Sequence, residues 1–201
     1  MNFADNTLKE FNEVLASDAP TPGGGSVAGL STALSASLIK MVVNLTDNAE
    51  LDKYGDELEK LQKEGLELID RDAESFNTVM DAYRLPKESD AEEDLRNAKI
   101  QSALREASLI PIDTMRLGVK LLNIVRDVAE KGNPNAASDA GVAALMGLAA
   151  IKGGNYNVKI NVSSLKDETT AQLLLDASRG LLREGESLAK EVEELTEDRI
   201  F

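Results

Sequence analysis

Apolar residues recur at spacings of three and four along most of this chain, and that period predicts helices. Leu8, Phe11 and Leu15 share one face of a short amphipathic helix running from Thr7 to about Ala16. It stops at Ser17-Asp18-Ala19-Pro20-Thr21-Pro22-Gly23-Gly24-Gly25, where closely spaced prolines and glycines cannot continue a helix and make a shaped loop instead. Ser26 stands where an N-cap belongs, and a second helix is expected to run from there to about Asn44. Small residues lie on several of its sides (Ala28, Gly29, Ser31, Ala33, Ser35, Ala36), so neighbouring backbones can come close and the helix should be central. A long charged helix follows, from about Leu51 to Tyr83. Its stripe is Leu58, Leu61, Gly65, Leu68, Asp72, Val79 and Ala82, with a longer gap across Ser75 and Phe76.

Pro86 breaks that pattern. Ser89 with Glu92, or Asp90 with Glu93, offers a capping box for the next helix. That helix should pass Lys99 and Gln101 to Ile110, bend at Pro111 for want of a backbone donor, and continue to Ala129. Gly132 ends it, with Pro134 close behind. Ser138 is placed to cap a small-residue helix from Ala140 to about Lys152, stopped by Gly153-Gly154. From Asn155 to Ser163, Val158, Ile160 and Val162 alternate with polar residues, which reads equally as a strand or as a structured loop. Asp167 or Thr169 then starts a last helix with Leu174, Leu181, Leu188, Val192 and Leu195 at near-heptad spacing. The expectation is a single all-α domain over residues 1–201, a bundle of about six helices, some of them long, with seams able to serve a dimer.

Composition sharpens this picture in three ways. Only 3% of residues are aromatic and none is Trp, so Leu, Ala, Val and Ile must fill the core, which suits close helix packing better than a sandwich. The formal net charge of −14 repels nucleic acid and anionic membranes, so neither is expected as a partner. Cys and His are both absent, which removes disulfides, thiol nucleophiles, thiolate zinc and the usual near-neutral acid/base. Catalysis would have to run on carboxylates, Lys, Arg, Tyr, hydroxyls, amides and backbone dipoles. No signal peptide is read at the start, and the weakly polar stretch Val27–Leu45 carries Ser31, Thr32, Ser35, Ser37 and Lys40, too polar for a membrane span. A cytoplasmic protein is expected.

Three pieces carry candidate chemistry. The loop Pro22-Gly23-Gly24-Gly25-Ser26 feeds a helix start, where free N–H groups and the dipole favour an anion. It lacks the Gly-Lys-Ser/Thr ending of a P-loop and any preceding strand, and a plain tight turn explains it as well. The loop Gly132-Asn133-Pro134-Asn135-Ala136-Ala137-Ser138-Asp139 repeats the design, so the two helix starts could converge on one ligand; Asp139 is also explicable as a dipole partner. Asp72 interrupts an apolar stripe. A buried carboxylate there would have a raised pKa, as a general acid or base near neutral pH needs, whereas one at the stripe's edge would simply reach water. Lys87 and Lys99 are candidate anion partners. The acidic runs Glu57–Glu74 and Glu184–Asp198 read as solvated helix faces without metal-loop spacing, so no metal is expected.

These same pieces resemble the cyclodeaminase/cyclohydrolase family, which includes the C-terminal domain of formiminotransferase-cyclodeaminase and stand-alone methenyltetrahydrofolate cyclohydrolases. The resemblance is carried by Pro22-Gly23-Gly24-Gly25-Ser26-Val27-Ala28, Asp72 with Phe76, Tyr83-Arg84-Leu85-Pro86-Lys87, Gly132-Asn133, Asn135, Ser138-Asp139-Ala140-Gly141-Val142-Ala143, and Asn157-Val158 with Asn161. It covers nearly the whole chain, in the family's order. It implies an all-α homodimer with its pocket between helices near the subunit interface, a tetrahydrofolate carrying a one-carbon unit as substrate, and no metal, nicotinamide or flavin cofactor. Two reactions fit: hydrolysis of 5,10-methenyltetrahydrofolate to the 10-formyl compound, which takes the lead, and ammonia release from 5-formimidoyl-tetrahydrofolate. On that resemblance Asp139 or Asp72 moves the proton. Asn133, Asn135 and Ser138 orient the bridging carbon, and Gly23 to Ser26 hold a polar edge of the pterin or the glutamate tail. Pro22, Phe76 and Asn161 complete the binding set, and Lys87 pairs with the tail. A non-catalytic folate-binding or dimeric interaction module is the alternative of another class.

Overall fold

The computed structural model describes residues 2–200, and among them there is no strand. Seven helices follow in order: α1 (Leu8–Leu15), α2 (Gly24–Asn44), α3 (Ala49–Asp52), α4 (Gly55–Tyr83), α5 (Asp90–Lys131), α6 (Ala137–Val162) and α7 (Glu168–Ile200), with 3-10 turns at Phe3–Asp5 and Pro134–Ala136. α3 is a single turn capped by the Asn48 side chain, so six helices carry the bundle. The expected all-α class stands.

Local chemistry starts these helices where the sequence says it should. Thr7 and Glu10 form a reciprocal capping box on α1, and Ser89 and Glu92 form another on α5. The Asp167 carboxylate accepts from the N–H groups of Thr169 and Thr170 at the entry to α7. The end of α5 is closed from outside: Arg199 of α7 donates to the carbonyl oxygens of Glu130 and Gly132.

α2 lies at the centre, packed on α4, α5 and α6. Its small residues do what their size allows. A Cβ on Gly65 of α4 would meet Thr32 Oγ1 at 2.6 Å and Ala33 N at 2.7 Å, so α4 comes this close to α2 only because position 65 carries no side chain. Ile39 and Val42 of α2, Leu58 and Leu61 of α4, Met115 and Leu122 of α5, and Ile151 of α6 are all essentially removed from water. Each contributes about 1.5–3 kcal/mol relative to exposure. The hydroxyls on α2 are satisfied: Ser31 and Ser37 bond back into their own helix, and Ser35 Oγ donates across to Ala143 O of α6 at 2.8 Å. By length and composition α2 alone among the described helices reaches the threshold for crossing a membrane, yet half its length is buried core of the bundle.

Several expectations are corrected. α2 begins three residues early, so Ser26 sits inside its first turn and Gly23 is the cap. The predicted charged helix is split at Lys53-Tyr54 into α3 and α4. The continuation of α5 past Pro111 stands, as one 42-residue helix. The stretch Asn155–Ser163 is neither strand nor loop. α6 continues through Gly153-Gly154 to Val162, with Val158 and Val162 buried and Ile160 exposed, a spacing of four rather than two. The glycines are contact points rather than stops: a Cβ on Gly154 would meet Met115 Cγ at 2.6 Å and Pro111 O at 2.9 Å. The near-heptad residues of α7 are turned into the chain's own core, where Leu174, Leu188 and Val192 pack, so that seam is not a free dimer surface.

Candidate functional site

The Pro-Gly loop brings α2 into the bundle with its first turn facing α4. None of the described glycines has a positive φ, so the glycines here supply space rather than an unusual backbone. Gly25 shows this directly. A Cβ built on it would lie 2.0 Å from Asp72 Oδ1 and 2.4 Å from Asp72 Cγ. The Asp72 carboxylate occupies the room that a side chain at position 25 would need.

Asp72 is half-buried, and burial is the larger influence on it, pushing its carboxyl above the ordinary aspartate range; hydrogen bonds from the Ser26 side chain and backbone pull the other way and do not cancel it. Ser26 Oγ lies 3.0 Å from Asp72 Oδ2 and 3.0 Å from Ile69 O. A hydroxyl has one proton, so it serves one of these at a time. When Asp72 is ionised, Ser26 donates to it. When Asp72 is protonated, its O–H can donate to Ser26 Oγ while the serine donates to Ile69 O. Both protonation states are hydrogen-bonded, which is what a group that takes up and returns a proton requires.

Asp72 opens onto a cavity of about 300 Å³ between α2, α4, α5 and α6. The α2 side is Gly23, Gly24 and Gly25 with Pro20 and Thr21 ahead of them; α4 supplies Ser75, Phe76 and Val79; α5 supplies Ala107; α6 supplies Asn157, Ile160 and Asn161. The N–H groups of Gly24 and Gly25 have no partner among the described residues, as expected in a helix's first turn, and stand as donors. Asn157 Nδ2 donates to Gly153 O at 2.9 Å and Asn161 Nδ2 to Ala107 O at 3.1 Å. The cavity therefore holds one titrating carboxylate, backbone donors on one side, amides on another, and apolar walls.

Of the expected site residues, Gly23, Gly24, Gly25, Asp72, Phe76 and Asn161 line this one cavity, Ser26 supports it from beneath, and Pro22 is buried in the loop before it. Lys87 is exposed on the loop beyond α4. Asn133, Asn135, Ser138 and Asp139 do not converge with them in one chain. Asn133 closes the other end of α2: its N–H donates to Thr46 Oγ1 at 2.9 Å, its Nδ2 donates to Leu45 O at 2.9 Å, and its Oδ1 accepts from Asn135 N. α6 runs antiparallel to α2, so Asp139 is some eighteen residues up the helix from Asn157, about 27 Å away at 1.5 Å per residue. The idea that both helix starts meet on one ligand therefore fails within a single chain. Ser138 instead lines a groove of about 490 Å³ between α6 and α7, larger than the Asp72 cavity but with mostly apolar walls.

Asn157, Ser75, Thr21 and Ile160 line the cavity without having been singled out as site residues. For Asn157 the signal was present: with Asn161 it makes an i, i+4 pair, which points one way once the segment is known to be helical.

Residues 7–179 match the family model for formiminotransferase-cyclodeaminase. A methenyltetrahydrofolate cyclohydrolase from Methylorubrum extorquens is 38% identical, the match spanning 98% of each chain. A formimidoyltransferase-cyclodeaminase from Rattus norvegicus is 28% identical across 94% of this chain, which corresponds to 36% of that longer protein. The crystal structure of formiminotetrahydrofolate cyclodeaminase from Thermotoga maritima superposes with a TM-score of 0.85 at 29% identity, covering 98% of each chain.

Proposed function

The chain belongs to the formiminotransferase-cyclodeaminase family, and from that premise we propose that it hydrolyses 5,10-methenyltetrahydrofolate to 10-formyltetrahydrofolate. It is an enzyme of folate one-carbon metabolism. The observation that carries the reading is Asp72: a half-buried carboxylate, pushed upward by burial and hydrogen-bonded in both protonation states, at the edge of a cavity of about 300 Å³. The cyclohydrolase from Methylorubrum extorquens, matched from end to end, supports hydrolysis as the leading reaction.

The chemistry needs little more than that group. The bridging carbon between N5 and N10 of the substrate is cationic and electrophilic. Ionised Asp72 accepts a proton as water adds, giving a tetrahedral carbon that bears the new hydroxyl. The protonated acid then returns that proton to N5 as the carbon–N5 bond breaks, and the carbinol O–H gives its own proton to the regenerated carboxylate, and from there to water, as the C=O of the formyl group on N10 forms. A raised pKa suits both halves, since the group must be ionised to accept and acidic enough to return. Phe76, Val79 and Ile160 give the flat head apolar walls, and Gly24 and Gly25 offer N–H groups to its oxygen. Lys87, beyond the α4 end of the cavity, is left for the tail carboxylates. A cytoplasmic location and independence from metal, nicotinamide or flavin belong to the same reading.

A homodimer is also part of it. Since Asn133, Asn135, Ser138 and Asp139 lie far from Asp72 in one chain, any role for them at the bridging carbon falls to a second copy.

The cyclodeaminase reaction is the second reading, favoured by the similarity to the Thermotoga maritima cyclodeaminase structure. It asks the same cavity to hold N10 against a formimidoyl carbon while ammonia leaves. The two are separated by adding protein to 5,10-methenyltetrahydrofolate and following its near-ultraviolet absorbance. Loss faster than the spontaneous rate, abolished by Asp72→Asn, is expected. Absence of acceleration, with the same chromophore forming from 5-formimidoyl-tetrahydrofolate, would replace hydrolysis by cyclodeamination.

A further inference from the structure

The amides of Asn157 and Asn161 can be oriented by chemistry alone. Each lies against a backbone carbonyl, Gly153 O at 2.9 Å and Ala107 O at 3.1 Å, and a carbonyl only accepts. Nδ2 must therefore face the backbone in both, and Oδ1 is the atom left over. Among the described residues neither Oδ1 accepts a hydrogen bond, though both side chains line the cavity. At i and i+4 on α6 they form a pair of acceptors on one face.

Asn161 owes its anchor to Pro111. Proline at 111 has no N–H to give Ala107 O, and its ring crowds that carbonyl off the helix axis. The Asn161 amide takes up the vacancy across the α5–α6 contact. The proline also sits against Gly154, whose missing side chain lets α6 approach closely enough for the bond to form.

We propose that Asn157 and Asn161 read the N–H-bearing edge of the pterin head, its 2-amino group above all, and that Pro111 is the positioning residue that aims Asn161. This rests on the folate reading of the cavity and adds its orientation. The head lies with its amino edge on α6 and its oxygen toward the N–H groups of Gly24 and Gly25. That arrangement brings the opposite side of the bicycle, which carries N5 and the one-carbon bridge, to Asp72.

The test compares two ligands, 5-formyltetrahydrofolate and its counterpart in which a methyl group replaces the 2-amino group. Binding is measured by calorimetry to the wild-type protein and to Asn157→Ala, Asn161→Ala and Pro111→Ala. Wild type should prefer the amino ligand about tenfold, the size of an unpaired hydrogen-bonding group in a recognition site. Asn157→Ala and Asn161→Ala should bring that preference close to one while barely changing affinity for the methyl ligand. Asn161→Ala leaves the Ala107 carbonyl without its partner and risks poor folding. Asn157→Ala carries the same test without that risk, since Gly153 O keeps its helical bond. Pro111→Ala should reduce the preference and raise KM at little cost to kcat, while raising thermal stability because an interior proline is gone. A structural role alone would leave the preference intact. If every variant weakens both ligands equally, the orientation is wrong and the folate reading survives. If neither ligand binds wild type, both fall together.

Discussion

At the scale of single residues, the site turns on the space beside Asp72. Gly25→Ala puts a methyl where the Asp72 carboxylate now lies, 2.0 Å from its Oδ1. The carboxylate is the end of a short side chain and can swing away, so the fold should survive while the proton carrier leaves its seat. Turnover should fall about 10²–10³-fold, the worth of a positioned acid/base, with a melting temperature close to wild type. A large drop in melting temperature would mean that the loop, not the carboxylate, is what Gly25 protects. Ser26 tests the same group by titration. Its hydrogen bonds lower the Asp72 pKa against the upward push of burial, so Ser26→Ala should move the acidic limb of the kcat/KM profile to higher pH. The linkage to stability has a definite sign. With the folded pKa above the unfolded one, the stabilising contribution of protonated Asp72 is fully present below the unfolded pKa and is lost as pH rises through the folded pKa. Asp72→Asn cannot ionise, so relative to wild type it should gain stability across that window and hold the gain above it, in denaturant melts run from pH 4 to 8. Asp72 was legible in sequence because an acid on an apolar stripe stands out. Its partner was not: Ser26 had the identity of an N-cap, and only the true start of α2 turns it inward.

At the scale of helices, the glycine pair in α6 separates two meanings of the same residue. Glycine in a helix costs about 1 kcal/mol relative to alanine, so an unexplained one invites replacement. Gly180 on α7 has nothing within 4 Å of where a Cβ would stand, and Gly180→Ala should stabilise by about that amount. Gly154→Ala should do the reverse. Its Cβ would meet the Pro111 carbonyl and Met115, and backbone cannot move aside as a side chain tip can, so about 1–3 kcal/mol of overpacking is expected. Thermal unfolding of the two variants, side by side, should give shifts of opposite sign. The helix pattern of α1, α4, α5 and α7 could be read from the chain because each has one apolar face, and α1, α5 and α7 have a capping residue besides. α6 could not, because it is covered on several sides and its contact glycines look like a stop. Val158-Ile160-Val162 has the period of a strand only if Ile160 is taken for core, and it is exposed. One wrong period there hid that Asn157 and Asn161 share a face, which is a helical feature.

At the scale of the molecule, the two glycine- and asparagine-rich loops that look alike in sequence end up at opposite ends of α2, about 30 Å apart for its 21 residues. Sequence similarity between the loops carried no information about distance, since that is set by α6 running antiparallel to α2. Asp139 therefore either has no part in the reaction or reaches the cavity from a second copy, and mixing separates these. In a two-fold dimer each site would take Asp72 from one subunit and Asp139 from the other. Asp72→Asn and Asp139→Asn proteins would each be inactive alone. Denatured together in equal amounts and refolded, half the dimers would be mixed, and each mixed dimer would hold one intact site and one doubly altered site. Activity should return to about a quarter of the wild-type level, a value fixed by counting sites in a two-fold assembly rather than by any interaction energy. No recovery from two singly inactive proteins would mean that Asp139 acts through the fold of its own chain rather than at the cavity, and a fully active Asp139→Asn would reduce that acid to a partner for the α6 dipole. Recovery would show that the sequence held two halves of one site whose meeting requires the second subunit.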